Sequence, residues 1–375
     1  MAFPRRRLPA GMSAQRAAVW LWLAAALGPA APNAGDILRM YPDPQRLVAE
    51  RRTVDLSLIL TKRQLGALLA TEPEDFSARL ADCRRQGVQV TCFDEDDYPP
   101  LLREIPSPPP VLYWRGDIAA ARGFAFAIVG ARKPSSYGVE ATALIAKTLA
   151  EAGVTLVSGL ASGLDGEAHK AALAANAPTV ACIAFGHDKC YPASHRALKA
   201  DIERRGLVLG EYPPGTPPSP GAFLQRNRLI AGLSRGVCVA EARRRSGTMN
   251  TVSQALAYGR DVFAVPGSIF SPLSEGTNHL LAEGACVATD GAEILEYYGL
   301  RRREPSAEDK TDAPAQPALS EEAKRMAKAV GAKEKTLAQL CAESGLATGA
   351  AMAALTELEL AGKVRALAGR RYVLR

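Results

Sequence analysis

Small residues crowd the places where this chain could hold an anion. Gly130-Ala131-Arg132 follows one apolar run, Ser158-Gly159-Leu160-Ala161-Ser162-Gly163 follows a second, and Ser246-Gly247-Thr248 opens a helical stretch further on. Turns of this kind leave backbone amides bare, and a helix starting just beyond them adds a dipole that favours negative charge. Cations stand beside them: Arg132 and Lys133, the triplet Arg226-Asn227-Arg228, and the run Arg243-Arg244-Arg245. Amide-lined turns rimmed by guanidinium groups suit a phosphodiester chain better than one small ligand, because several phosphates in succession must be neutralised. Taken singly, each turn also reads as a tight turn and nothing more, and the Arg243 to Arg245 run as a solvated face.

Catalytic patterns carry less weight. Ser158, Asp165 and His169 lie close in sequence, but a hydrolytic triad is a matter of geometry, and Asp165 reads equally well as the N-cap of the helix bearing His169. His187, Cys190 and His195 lack the fourth ligand and the paired spacing of a metal centre. A phosphate-binding GxxxxGK[ST] loop does not occur, and the first turn is not GxGxxG. The expectation is therefore no catalytic residue, no metal and no cofactor.

These residues need a scaffold, and from residue 124 the texture supplies one. Short apolar runs (124–129, 155–158, 179–185, 207–210, 237–241, 262–266 and 286–289) alternate with longer amphipathic stretches (139–152, 165–176, 194–204, 248–259 and 278–283). That alternation is the mark of βαβ units: an α/β fold with a Rossmann-like, mostly parallel sheet covered by helices on both faces, whose ligands bind at the carboxyl ends of the strands. Four segments are expected: a helical module (SAM-like by the family resemblance described below) over 14–97, the Rossmann-like domain over 98–300, a charged, Pro- and Ala-rich flexible linker over 301–319, and a winged helix over 320–375. Prolines 99, 100, 106, 108, 109 and 110 mark the first boundary.

Composition narrows the class. The 375 residues carry 46 Lys and Arg against 39 Asp and Glu, a formal net charge of +7, which favours polyanionic partners. Seven cysteines, odd in number and without a CxxC pair, suit reduced thiols in a cytosol. The apolar run from Ala17 to Leu27 follows Arg5-Arg6-Arg7 and imitates a signal peptide, yet it holds Trp20 and Trp22 and ends at Gly28-Pro29 like a helix before a turn. No other stretch is apolar for long enough to span a bilayer.

The ordered blocks IVGARKPSSYG, SGLASGLDGEAHKAAL, GHDKCYP, FLQRNRLIAGLS, VAEARRRSGTMNT and GRDVFAVPG closely resemble the DprA/Smf family across the central domain. TLAQLCAESGL and LTELELAGKV resemble the winged-helix appendage of that family, and WLWLAAALGP resembles the start of its helical N-terminal module. The resemblance implies a non-catalytic, cytoplasmic homodimer that binds single-stranded DNA, protects it and helps load RecA in natural transformation or recombination. It also implies DNA contacts at Gly130, Arg132, Ser158, Gly159, Ala161, Ser162, Gly163, Gly186, Arg226, Asn227 and Arg228, to which the turn at Ser246, Gly247 and Thr248 is added. Two departures stand out: Ala131 replaces the commoner serine of the first turn, and Ser194-His195 occupy the place of an asparagine. Two rivals remain. One is a nucleoside-monophosphate glycosidase of the related Rossmann-like group; it would need a glutamate soon after Thr248, where this chain has Met249-Asn250-Thr251-Val252. The other is a winged-helix transcription regulator, whose candidate recognition helix, 348–361, here carries Glu357 and Glu359 and no Lys or Arg.

Overall fold

The computed structural model describes residues 14–300, 319–331, 334–367 and 371–374, which fall into two compact units divided between 303 and 304. All but the last residue of the expected linker over 301–319, and Arg5, Arg6, Arg7, Arg370 and Arg375, lie outside the described residues.

The first unit is built on a nine-stranded sheet in the order β1-β2-β6-β5-β4-β3-β7-β8-β9. Its strands are β1 (Gln89–Cys92), β2 (Val111–Gly116), β3 (Ala125–Val129), β4 (Thr155–Ser158), β5 (Thr179–Ile183), β6 (Leu207–Gly210), β7 (Gly236–Val239), β8 (Asp261–Ala264) and β9 (Cys286–Val287). From β6 to β9 all neighbours run parallel, while β1–β2 and β2–β6 pair antiparallel. Strands β3 to β7 are buried at every position, as expected of a sheet covered on both faces.

The N-terminal helices are α1 (Ala14–Leu27), α2 (Ala34–Met40), α3 (Pro44–Glu50), α4 (Lys62–Ala70) and α5 (Ser77–Arg85). Trp20, Leu21, Trp22 and Leu23 of α1 are wholly buried, so the run that imitates a leader is the core of this module. The short α6 (Pro100–Arg103) follows. The crossover helices are α7 (Ser136–Glu151), α8 (Leu164–Ala174), α9 (Arg196–Arg205), α10 (Pro220–Leu233), α11 (Gly247–Ala257) and α12 (Glu275–Ala282), and α13 (Gly291–Tyr297) closes the unit. One correction concerns 89–92, read from sequence as part of a helical stretch: it forms an edge strand of the central sheet, paired with β2.

The second unit has α14 (Glu321–Ala329), α15 (Leu337–Ser344) and α16 (Thr348–Leu360) with a three-stranded sheet of β10 (Lys335–Thr336), β11 (Val364–Leu367) and β12 (Arg371–Leu374). Met326, Leu340, Ala351, Leu355 and Leu358 fill its core. This is a winged helix, with the Glu-bearing α16 as its third helix.

Candidate nucleic-acid interface

The chain leaves β3 for β4 on one side and later returns to β7 on the other, so the strand order reverses between β3 and β7. In open α/β sheets ligands bind at such a reversal, at the carboxyl ends of the strands. Val129 leads into the Gly130-Ala131-Arg132 turn, Ser158 into the Ser158–Gly163 turn, and Val239 into Glu241 and the three arginines. The sheet thus brings the sequence-predicted turns to one edge.

The turns interlock. Gly163 has φ +79, a conformation that favours glycine, and a Cβ there would collide with the Ala131 carbonyl and crowd Arg132. The Leu164 amide donates to the Ala131 carbonyl at 3.2 Å. From the β7 side, the Thr248 hydroxyl donates to the Gly130 carbonyl at 3.2 Å. Glu241, 2% exposed, accepts from the Ser135 amide at 2.9 Å and from its hydroxyl, while the Ser135 Oγ caps α7 at the Gly138 amide. Asn227 donates to the Gly247 carbonyl and to Asn250, each at 3.2 Å, fixing the start of α11. The Ser246 Oγ beside it is buried without a hydrogen-bond partner.

The rim differs from the sequence expectation. Arg132, Lys133 and Arg243 to Arg245 are exposed at the edge. Arg226 and Arg228 are not: they are 3% and 5% exposed. Arg226 donates to the carbonyls of Gly159 and Cys182. Arg228 donates to the Ser107 carbonyl at 2.6 Å and pairs with Glu211, which in turn accepts from the Ala30 amide at 3.1 Å. Neither is a rim group as expected: both are charges enclosed in the core with built partners.

Two further expectations need correction, the N-cap at Asp165 and the ligand-facing amides. Asp165 is not the N-cap of α8, which is Gly163. Its carboxylate accepts from the Gly159 amide at 3.1 Å and from the amides of Ala161 and Gly130, so amides expected to face a ligand are turned inward. The Gly186 amide is likewise taken, by the Thr216 carbonyl at 2.9 Å. The triad residues belong to separate networks: Ser158 donates to the Ile128 carbonyl at 2.7 Å, and His169 pairs with Thr179 at 2.7 Å. Burial raises the Asp165 carboxyl above its usual range and lowers the Arg226 guanidinium below its own, each held back by the other's charge. Among the described residues, no cluster of His, Cys, Asp and Glu could hold a metal ion.

Aromatic side chains that the sequence reading left out complete the edge. The Arg132 guanidinium lies 5.6 Å from the Phe223 ring centroid, and Tyr191 packs on Phe223 at 5.2 Å. Tyr191 and Leu224 are half exposed. The signal was present in GHDKCYP and FLQRNR, where aromatics stand among basic residues. An exposed cation and a half-exposed ring, joined here through Phe223, are the pairing that binds unstacked bases together with their phosphates.

Comparison with known proteins bears on this geometry. The family model for DNA recombination-mediator protein A matches residues 89–299, and that for the DprA winged helix domain matches 310–370. Protein Smf of Escherichia coli is 35% identical over 329 residues, covering 86% of this chain and 88% of that protein. DNA processing protein DprA of Streptococcus pneumoniae is 43% identical over 204 residues, covering 54% of this chain and 72% of that protein. The X-ray structure of DprA from Streptococcus pneumoniae superposes with a TM-score of 0.65 at 32% identity, covering 76% of this chain and 98% of that one. DprA from Helicobacter pylori, in a study of its single-stranded DNA binding mode, gives 0.52 at 30% identity, covering 56% of this chain and 95% of that one. With its turns, its order of motifs and its winged helix all in agreement, the chain belongs to the DprA/Smf family of DNA recombination-mediator proteins.

Proposed function

We propose that this chain binds single-stranded DNA along the carboxyl edge of its sheet, catalyses no reaction on it, and acts as a recombination mediator that protects the strand and helps load RecA. The observation that carries the binding reading is the exposed Arg132 lying against Phe223, with Tyr191 beside it, above two interlocked glycine-rich turns. Stacking on aromatic faces ignores base identity, and a cation beside them meets the backbone, so binding tolerates sequence. The contacts fall to Arg132, Ser162, Gly163, Ser246, Gly247 and Thr248. Gly130, Ser158, Gly159, Ala161, Gly186, Arg226, Asn227 and Arg228 support these turns from within.

The non-catalytic reading rests on the segment after Thr248, which offers no carboxylate for glycosidic chemistry. All seven cysteines are free thiols, in keeping with a cytoplasmic setting. Family membership supports RecA as partner and self-association as a homodimer as parts of this reading. Among the described residues, no helix is long and apolar enough to cross a membrane.

The test is an electrophoretic shift of poly-T and of duplex DNA across a salt series, read beside free-base release from nucleoside monophosphates. Single-strand preference with steep salt dependence and no released base is expected. Equal affinity for duplex, or base release abolished in Thr248→Ala, overturns the reading.

A further inference from the structure

We propose that Asp165 and Arg226 form a buried clamp on the backbone of Gly159 and are positioning residues for the Ser158–Gly163 turn, without touching DNA themselves. This rests on the single-stranded DNA reading of that edge. The two side chains hold both backbone groups of one residue, and so the two peptide units that meet at Gly159: Asp165 accepts its N–H at 3.1 Å, and Arg226 donates to its carbonyl. Both are buried, Asp165 at 6% exposure and Arg226 at 3%. Arg226 reaches on to the Cys182 carbonyl of β5, so the turn is tied to the neighbouring strand and not only to its own helix. Asp165 also draws in the amides of Ala161 and Gly130, which links the first turn to the second.

Two details argue that the clamp holds a conformation the chain would not keep alone. Leu160, next along the chain, sits at φ +56 although it is not glycine, and Gly163 sits at φ +79. A left-handed non-glycine residue is strained and persists where its surroundings enforce it. Gly159 also leaves no room for a side chain, because a Cβ there would run into the Arg226 guanidinium. The geometry is unusual for a polyanion site, since it places a carboxylate beneath it. Coulomb repulsion between Asp165 and phosphate opposes binding, so its role must lie in the shape it enforces.

That opposition supplies the test. Asp165→Asn removes a negative charge from under the site, and electrostatics alone would then tighten binding to poly-T. The clamp requires the reverse, because the amide nitrogen of Asn cannot accept from the converging N–H groups. Affinity should fall about tenfold, the scale of one charge-assisted hydrogen bond. Gly159→Ala keeps every charge and should also weaken binding, with the salt slope unchanged. Folded variants, verified by circular dichroism, that bind as well as or better than wild type overturn the proposal. If neither variant folds, amide hydrogen exchange in the wild-type protein decides. Gly159 and Ala161 amides protected without DNA, and no further by it, support the clamp. Amides that exchange freely and become protected only on adding poly-T overturn it, because they would then be DNA contacts. A wild-type protein that fails to shift poly-T sinks the function reading instead, and the exchange experiment still judges the clamp.

Discussion

Replacing Arg228 by Ala should lower the melting temperature of the protein by about 6 °C. The side chains of Arg228 and Glu211 are 6% and 8% exposed, so the pair is enclosed. Truncation leaves the Glu211 carboxylate buried with the Ala30 amide as its remaining partner in this network, and strips the Ser107 carbonyl of its donor. Removing one member of such a pair costs about 3–5 kcal/mol, chiefly the penalty of the charge left behind. The unit Met1–Arg303 has an unfolding entropy of about 0.6 kcal/mol/K at roughly 2.1 cal/mol/K per residue. About 4 kcal/mol divided by that entropy gives about 6 °C. Thermal melts followed by circular dichroism would compare wild type, Arg228→Ala, Glu211→Gln and the double variant Arg228→Met with Glu211→Leu. The double variant buries no charge and should recover a large part of the loss. A single variant melting within about 1 °C of wild type, or a double variant that loses the sum of both singles, would refute the reasoning.

Burial pushes the Glu95 carboxyl up to about 7, so the folded protein keeps a proton that the unfolded chain releases at lower pH, and this contribution is lost as pH rises through about 7. His169 and His187 are pushed by burial down to about 3, so their contribution is present above the unfolded histidine value and lost as pH falls. The two effects oppose each other, and Glu95→Gln should make the melting temperature drop more steeply from about pH 7 to about pH 5; parallel curves for wild type and variant would contradict this. Arg132→Ala should reduce the magnitude of the salt slope for single strands by about 0.7, and an unchanged slope would remove it from the phosphate contacts. Tyr191→Ala should weaken binding by about 1–3 kcal/mol per stacked base while leaving the slope alone; wild-type affinity would exclude a stacking role. A fragment ending near Leu300 should retain most of its affinity for single strands, and a loss beyond about thirtyfold would make the winged helix a primary site.

The parallel core was legible because each of its strands is a short apolar run followed by a longer amphipathic one, and the two periods differ enough to separate them. Strand β1 was not. Its four residues, Gln-Val-Thr-Cys, follow a helix directly, and only their pairing with β2 across the proline-rich segment makes them a strand. The glycine turns were placed correctly at the sheet edge, whereas the direction of their amides depends on Asp165, whose reach across to Gly130 no local pattern encodes. Arg226 misled because residue type suggested a surface. Every residue of α10 from Arg226 to Leu233 is buried, so that half of the helix is enclosed on all sides and carries its two arginines inward with the apolar residues that follow them.

The interlocking of the first two turns has a consequence for anyone who would redesign the edge. Gly163 fits only against the backbone at Ala131 and Arg132, and Leu164 is hydrogen-bonded to the same turn. Neither loop is then an independent module for grafting or library screening. A transplant of one alone would bring a shape its neighbour was not cut to receive, so variation at this edge has to be sampled as matched pairs, with residues 130–132 and 158–164 exchanged together.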